Sequence, residues 1–328
     1  MHRHSAQSNT KLGIYYEHPA WFKPLFAELA RRGVAFDELP AHDHGYDPAE
    51  RHSPYALVVN RMSPSAYTRG HSHAIAYTTQ YLAYLQAIGA NVVNGYDSYV
   101  YETSKARQLN LLEKLGLNYP RSRVINHPLQ AVAATDGLTF PIVIKSNIGG
   151  SGAGITRFES ASQLAEAVAN DQIDLGLDQF ALVQEFLPAQ ENRIIRVETL
   201  NGKFLYAIQV HLTGAGFNLC PADYCELVEA SEANQNGEIK SAKALIESYK
   251  PPQAAIEAVE RIVAAAHIDV GGVEYLVNER DGQRYYYDIN ALSNFVADAP
   301  NVIGFDPFPK FVDYLLIRAG LAESMSAG

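Results

Sequence analysis

The sequence contains little cysteine. Its 328 residues include two, Cys220 and Cys225, too few for a disulfide framework or a complete set of zinc ligands. We expect free thiols in a reducing compartment, although a reversible disulfide between them is compatible with the sequence. No histidine base stands beside either one, which argues against a cysteine-dependent enzyme.

Basic charge and long apolar runs are also scarce. The formal net charge is −10, so a nucleic-acid partner is not expected, because phosphate backbones bind a basic face. No apolar run approaches the ~20 residues that cross a bilayer. The first residues, MHRHSAQSNTK, lack the apolar core of a signal peptide. These absences predict a cytoplasmic protein without a membrane partner.

Apolar residues are nevertheless abundant. They make up 47% of the chain, enough for a large core and two or three domains. Between residues 12 and 100, strand-like runs such as KLGIYY and YALVVNRM alternate with helix-like segments that stop at Gly33 and Gly89. This alternation predicts a small parallel sheet flanked by helices. No G-x-G-x-x-G follows the first strand, so a Rossmann-type dinucleotide site is not expected there.

A glycine-rich loop follows an apolar strand in FPIVIKSNIGGSGAGI, residues 140–155. The strand ends on Lys145, and the loop has no G-K-[ST], which excludes a Walker A loop. It leads into another extended stretch, ITRFES, and not into a helix. The pattern predicts a flap between antiparallel strands whose N–H groups surround an anion; the alternative is a mobile surface hairpin. Lys145, and Lys105 on the preceding helix, would supply point charges.

A second hairpin, GGVEYLVNERDGQRYYYDIN, carries acids on one face. A three-residue loop, 280–282, sets Glu274 opposite Asp288 with Asn290 on the same face, whereas a two-residue turn would oppose Glu274 to Ile289. In the first register the apolar face holds Val273, Tyr275, Val277, Tyr285, Tyr287 and Ile289. Facing carboxylates ~4 Å apart repel by roughly 4 kcal/mol at a dielectric of ~20. An arginine, a raised pKa or a hard cation such as Mg²⁺ or Mn²⁺ is therefore expected; solvated surface acids are the alternative.

The order of these elements resembles the ATP-grasp superfamily. A lysine-bearing helix, the strand–Lys–glycine flap, LVQEFLP, the hairpin IIRVETLNGKFLYAIQV and the terminal D-x-N are most similar to RimK-type and glutathione-synthetase-like carboxylate–amine ligases. The resemblance covers about residues 101–318. It implies an α/β (α+β) fold with a small parallel pre-ATP-grasp domain, 11–100, and two ATP-grasp subdomains, 101–187 and 188–320.

The resemblance also implies a role for each matching residue. Catalysis would rest on Arg196 and Lys145, and Mg²⁺ or Mn²⁺ on Glu274, Asp288 and Asn290. The predicted ATP-binding residues are Lys105, Lys145, Gly149, Gly150, Ser151, Gly152, Gly154, Gln184, Glu185, Phe186, Leu187 and Glu191. The substrate-side candidates are His211, Asp223 and Asn294.

Departures from the family pattern concern mainly the substrate. Asp288 stands where the family usually has glutamate, a shorter but equivalent ligand. Gln209 or His211 replaces a frequent basic residue, NALSNF replaces the usual asparagine-and-small-residue ending, and TGAGFNLCPADYC stands at a substrate-facing loop.

The implied function is ATP-dependent formation of an amide or peptide bond between a small carboxylate and an amine, amino acids or peptides among them. The reaction would pass through an acyl phosphate and release ADP and phosphate. The alternatives are a small-molecule kinase on the same fold and a non-catalytic nucleotide-binding protein. Relatives of this kind also imply a homo-oligomer.

Overall fold

The computed structural model describes residues 10–149, 154–211 and 246–322. The backbone separates into two compact units. One comprises residues up to Tyr99 together with those from Asp306 onward, and the other is Val100–Phe305. The predicted ranges 11–100, 101–187 and 188–320 assign the C-terminal residues to the last domain, whereas the structure groups them with the first unit. The remainder of that division stays a prediction.

The first unit is built on a parallel sheet, as the alternation of strands and helices predicts. Its order is β2-β1-β3-β4, with β1 and β3 central because their residues are buried on both faces. The strands are β1 Leu12–Tyr16, β2 Phe36–Pro40, β3 Leu57–Arg61 and β4 Val92–Val93. The helices are α1 Lys23–Arg31, α2 Ser72–Ala87 and a C-terminal helix, Phe308–Ala319, with short 3-10 helices at Ala41–Asp43 and Pro64–Arg69.

The C-terminal helix belongs to the first unit because it packs against α1 and β3. Arg32, just after α1, pairs with Asp313 and donates from Nη2 to the Pro309 carbonyl at 2.9 Å. These contacts join residues 281 and 277 positions apart in sequence, and no local sequence pattern predicts them.

Helix α3, Tyr96–Glu102, runs across the boundary between the two units in the sequence. The second unit continues with α4 Lys105–Lys114 and an antiparallel sheet in the order β5-β8-β6-β7. Its strands are β5 Ser122–Ile125, β6 Ile142–Ser146, β7 Ile155–Phe158 and β8 Ala181–Glu185. Helix α5, Ala161–Ala169, packs its Leu164 and Ala167 into the core of this sheet. Because β6 pairs with β7, the glycine-rich segment does connect two antiparallel strands, as predicted.

A five-stranded antiparallel sheet completes the second unit, in the order β11-β10-β9-β12-β13. Its strands are β9 Arg193–Leu200, β10 Lys203–His211, β11 Ile246–Ser248, β12 Val270–Val277 and β13 Arg284–Asn290, and its helices are α6 Gln253–Ala265 and α7 Ala299–Ile303. Asn201 and Gly202 both have positive φ, 54° and 68°, which confirms the predicted tight turn. Alternate residues of β9 and β12, together with Tyr286 and Ile289 of β13, enter the core against α6. The intervening residues of β9 and β12 therefore share the opposite face.

The β12–β13 hairpin has the predicted pair but a different turn. Glu274 does face Asp288. However, Asn278 N–H donates to the Gln283 carbonyl, so the loop has four residues, 279–282, and not three. An irregularity after Glu274 then sets Tyr275 opposite Tyr286 instead of Tyr287. The predicted apolar face is therefore wrong near the turn: Tyr286 enters the core, and the extra residue restores the register of the acids.

Candidate active site

Three charged side chains lie in one row across the sheet of the second unit. Glu274, on β12, is the register partner of Arg196 on β9 and of Asp288 on β13. Direct partners in a sheet point to the same face, and the Arg196 Nη1 donates to Glu274 Oε1 at 3.0 Å. The row places a guanidinium beside two carboxylates that face each other. The predicted opposition of the two acids is confirmed.

Two lysines accompany this row. Lys105 Nζ lies 3.3 Å from Asp288 Oδ1; burial works against its charge, but Asp288 and Glu102 outweigh burial and raise the pKa of Lys105. Lys145 is 6% exposed, and no acidic residue of the described ranges comes within ion-pair distance of its Nζ. Burial, with Lys105 adding to it, lowers the pKa of Lys145 to about 8. Lys145 is therefore a buried ammonium without a close counter-ion among the residues that the structure describes.

The facing carboxylates differ in proton affinity. Burial raises the pKa of Glu274, opposed by Arg196 and supported by Asp288. Asp288 is half-buried, and although burial alone would raise its pKa, Lys105 and Lys145 outweigh that effect and lower it. Arg196 pairs with Glu274 and Lys105 pairs with Asp288, so the repulsion between the two carboxylates is offset, as expected from the sequence. Asp288 is the more firmly ionised of the two acids.

The donor atoms around Asp288 suit a hard cation. Asn290, two residues along β13, has its Nδ2 3.5 Å from Asp288 Oδ2, and its carboxamide oxygen is a hard ligand of the kind Mg²⁺ prefers. Across residues 10–149, 154–211 and 246–322, no three His, Cys, Asp or Glu side chains are arranged to hold a metal by themselves. The predicted set of two carboxylates and one amide fits a cation that takes its other ligands from a phosphate or water.

The residues at the two ends of the predicted flap are hydrogen-bonded and closely packed. Lys145 pairs with Ile155 across the β6–β7 hairpin, and Ser146 N–H donates to the Gly154 carbonyl at 3.1 Å. Gly154 has φ +72°, and a Cβ there would lie 2.8 Å from Ser146 Oγ, so glycine is required at this position. Gly149 is buried just after β6. Gly150, Ser151 and Gly152 lie outside the described residues.

The predicted adenine-binding segment follows β8, and part of its backbone is already engaged. Glu185 N–H donates to the Arg121 carbonyl, and Phe186 N–H donates to the Pro141 carbonyl, both at 2.9 Å. The Glu185 carboxylate accepts from Thr139 N–H at 2.8 Å. Gln184 lies inside the ladder between β5 and β6. Of the four residues, Leu187 therefore has the N–H best suited to a ligand.

The remaining predicted residues are more dispersed. Glu191 is 61% exposed on its side chain and pairs with Arg193 at 3.3 Å. His211 ends β10, with Nε2 3.5 Å from Glu247. Asn294 has a buried Nδ2 that bonds to no described residue. Asp223, Cys220 and Cys225 lie outside the described residues.

Three polar residues of the site were not predicted from the sequence. Glu198 accepts from Arg196 Nε at 2.6 Å, and Ser293 Oγ accepts from Arg196 Nη2 at 3.1 Å. Glu102 accepts from the N–H groups of Ala291 and Leu292, and burial raises its pKa to about 7. For Glu198 a signal existed, because residues two apart on a strand share a face; Arg196 and Glu198 stand in that relation.

Solved structures identify the architecture as the ATP-grasp fold. The chain is similar to D-alanyl-alanine synthetase A from Vibrio cholerae O1 biovar eltor str. N16961, with a TM-score of 0.67, 13% identity and coverage of 96% of this chain and 99% of that one. It is also similar to D-cycloserine synthetase DcsG, with a TM-score of 0.66, 14% identity and coverage of 94% of this chain and 99% of that one. A third similar structure is the ATP-grasp ligase PsnB complexed with a minimal precursor, with a TM-score of 0.65, 16% identity and coverage of 94% of this chain and 99% of that one.

Comparisons of the sequence show which ATP-grasp proteins the chain is similar to. Residues 102–250 match the model of the RimK-like ATP-grasp domain. Two relatives, each a probable alpha-L-glutamate ligase of Vibrio vulnificus (strains YJ016 and CMCP6), are 28% identical over 173 residues, 52% of this chain. The match spans 56% of each relative, little more than half its length.

The described helices of both units are either too short or too polar to cross a lipid bilayer.

Proposed function

We propose that the protein is an ATP-dependent carboxylate–amine ligase that forms an amide or peptide bond through an acyl phosphate and releases ADP and phosphate. One observation carries the proposal: Lys145 is a buried ammonium with no close counter-ion in the described part of the chain, and it interacts with Lys105 and with a pair of facing acids. A buried charge without a partner is costly, so an anionic ligand is the natural completion of this site.

ATP would lie with its phosphates against Lys105 and Lys145. The loop that contains Gly149, Gly150, Ser151, Gly152 and Gly154 would close over them with its N–H groups. The Leu187 N–H and the carbonyl of Glu185 would meet the adenine, since the N–H groups of Glu185 and Phe186 are already used. Glu191 would reach the ribose hydroxyls.

Mg²⁺ or Mn²⁺ would be held by Glu274, Asp288 and Asn290, and it would neutralise phosphate charge during transfer. The donor set is all hard oxygen, which supports this assignment. Asp288 is the residue best prepared to bind a cation, because Lys105 and Lys145 already hold its pKa down and keep it ionised.

Phosphoryl transfer depends on positioning and on charge stabilisation. The substrate carboxylate oxygen would bond to the γ-phosphorus as the bond to the β–γ bridging oxygen breaks, giving ADP and an acyl phosphate. The guanidinium of Arg196 would stabilise the charge on the transferring group. The amine would then bond to the acyl carbon, and phosphate would leave as the amine loses a proton. A closed flap would keep water from the acyl phosphate.

The substrates would be amino acids or peptides, as the names of the similar ligases suggest. His211, Asp223 and Asn294 are the residues that we assign to the substrate side. The cytoplasm, where ATP is available, is the location that this activity requires.

An ADP-release assay across pairs of amino-acid donors and acceptors tests the proposal. We expect ADP with Mg²⁺ and a matched pair, and a hydroxamate when hydroxylamine replaces the amine, because only an acyl phosphate gives that product. AMP as the product would overturn the mechanism. ADP without hydroxamate would indicate a kinase, and a background rate with every pair would indicate a non-catalytic nucleotide-binding protein.

A further inference from the structure

Glu198 is a buried acid to which the proposed mechanism assigns no role. Its side chain is 1% exposed, and Oε1 accepts from Arg196 Nε at 2.6 Å. Oε2 is buried and has no hydrogen-bond partner among the described residues. A half-satisfied buried carboxylate is unfavourable for folding, so a reason for it other than stability is worth seeking.

The backbone opposite Glu198 is shaped to receive its carboxylate. Gly272 on β12 is the register partner of Glu198, and a Cβ on Gly272 would lie 2.8 Å from Oε1 and 2.9 Å from Oε2. Real Cβ atoms do not approach so closely, so any side chain at position 272 would displace the carboxylate. Glycine at this position therefore keeps Glu198 against Arg196.

The two carboxylates that hold Arg196 differ in their other contacts. Glu274 faces Asp288 and also interacts with Tyr287, and it belongs to the acids that we assign to the cation. Glu198 accepts its hydrogen bond from Arg196. A cation bound to Glu274 would repel the guanidinium and draw the carboxylate charge away from it. Glu198 would then be the acid that still holds Arg196.

We propose that Glu198 is a positioning residue that keeps the Arg196 guanidinium in place over the phosphoryl-transfer site when Glu274 binds a divalent cation. The inference rests on the proposed function for the role of Arg196. It assigns to Glu198 neither contact with substrate nor a metal bond. Gly272 is part of the same device, because it makes room for the carboxylate.

Two variants test this role through different changes. Glu198→Gln keeps the size of the side chain and removes its charge, whereas Gly272→Ala keeps the charge and displaces it. We expect each to lower kcat for ADP release about 10- to 100-fold, with the KM for ATP and the Kd for Mn²⁺ changed less than about threefold. The double variant should lose little more than either single one, since both act on one contact.

Controls exist for both changes. Glu260→Gln removes an acid of α6 that pairs with the exposed Lys203 at 3.0 Å. Gly45→Ala adds a methyl group where no atom lies within 4 Å. Both should retain wild-type kcat. A tenfold loss of Mn²⁺ affinity in Glu198→Gln would make Glu198 a metal ligand, and a changed Tm with unchanged kcat would make it merely structural; either result overturns the proposal.

A readout without turnover separates this inference from the proposed function. The Arg196 Nε–H resonance, assigned by its loss in Arg196→Lys, should be protected from exchange in the wild-type protein with saturating Mg²⁺. Protection should disappear in Glu198→Gln and in Gly272→Ala. If it persists in both, Glu198 does not hold Arg196, even if ligase activity is found. If it disappears while no substrate pair yields ADP, the positioning role stands and the ligase assignment fails.

Discussion

Each of the two units buries a cluster of charges, and the clusters differ in how completely they are paired. In the first unit, the fully buried Glu17 carboxylate accepts from Arg69 Nε at 3.0 Å and contacts His71 Nδ1 at 2.6 Å. In the second unit, Lys145 is buried without an acid at ion-pair distance, and Glu198 Oε2 has no partner in the described ranges. Complete pairing is typical of a structural role, whereas incomplete pairing indicates a ligand.

Removal of Lys145 should have the largest effect. Lys145→Met should lower ADP release at least about a hundredfold, because a charge that stabilises the transferring phosphate is lost. The same change should raise the free energy of unfolding by about 1–3 kcal/mol, since it removes a buried ammonium that has no close counter-ion among the described residues. Steady-state kinetics and urea unfolding measure the two effects.

Lys114→Met, at an exposed position of α4, is the control for this variant and should change neither quantity. A Lys145→Met protein that is both active and less stable would show that the lysine is a structural residue, and the comparison between the units would then fail.

Removal of Arg69 should act in the opposite direction on stability. Arg69→Met leaves Glu17 buried without its main partner, so the free energy of unfolding should fall by about 3 kcal/mol. Chemical denaturation with Arg51→Met, an exposed arginine of the same unit, as the control measures this. An unchanged midpoint would mean that the Glu17 cluster is not structural and is a further candidate for ligand binding.

The pH dependence of the first unit should follow His18. Burial, with Arg69 adding to it, lowers the pKa of His18 to about 4, below the unfolded value of about 6.5. As pH falls from 6.5 towards 4 the unfolded chain binds the proton first, so stability is lost in that window, by about 2–3 kcal/mol.

His18→Asn should remove this loss, because its side-chain oxygen can still accept from Ala20 and Trp21 N–H, as Nδ1 does. Unfolding at several pH values compares the two proteins, with His52→Asn at an exposed position as the control. Parallel pH profiles for wild type and His18→Asn would contradict the prediction.

An exposed ion pair should give the smallest effect. Lys203 pairs with Glu260 at 3.0 Å, but the lysine side chain is 75% exposed. Lys203→Met should therefore change the free energy of unfolding by less than about 1 kcal/mol. If the free energy of unfolding changed by more than about 2 kcal/mol, an exposed pair would contribute as much as a buried one. Burial would then not explain the difference between the charge clusters of the two units.

The β12–β13 hairpin shows why some of the site was predictable and some was not. The facing of Glu274 and Asp288 was predicted from the apolar pattern with a three-residue loop, and it is observed because the bulge offsets the fourth loop residue. The four-residue loop and the bulge do not, because Tyr285, Tyr286 and Tyr287 are consecutive and provide no period of two. Any of the three tyrosines can face the core, so the apolar pattern does not reveal the extra residue.

By itself, the sequence determined the local features: the parallel sheet of the first unit, the Asn201–Gly202 turn, the antiparallel strands around the glycine loop and the acids of the last hairpin. Each depends on a backbone preference or on alternation within a few residues. The tertiary structure alone decided that Lys145 is buried without a described acid at ion-pair distance, that Glu198 lies against Arg196 opposite Gly272, and that the C-terminal helix joins the first unit. These outcomes depend on contacts between distant segments, for which a single sequence carries no local signal.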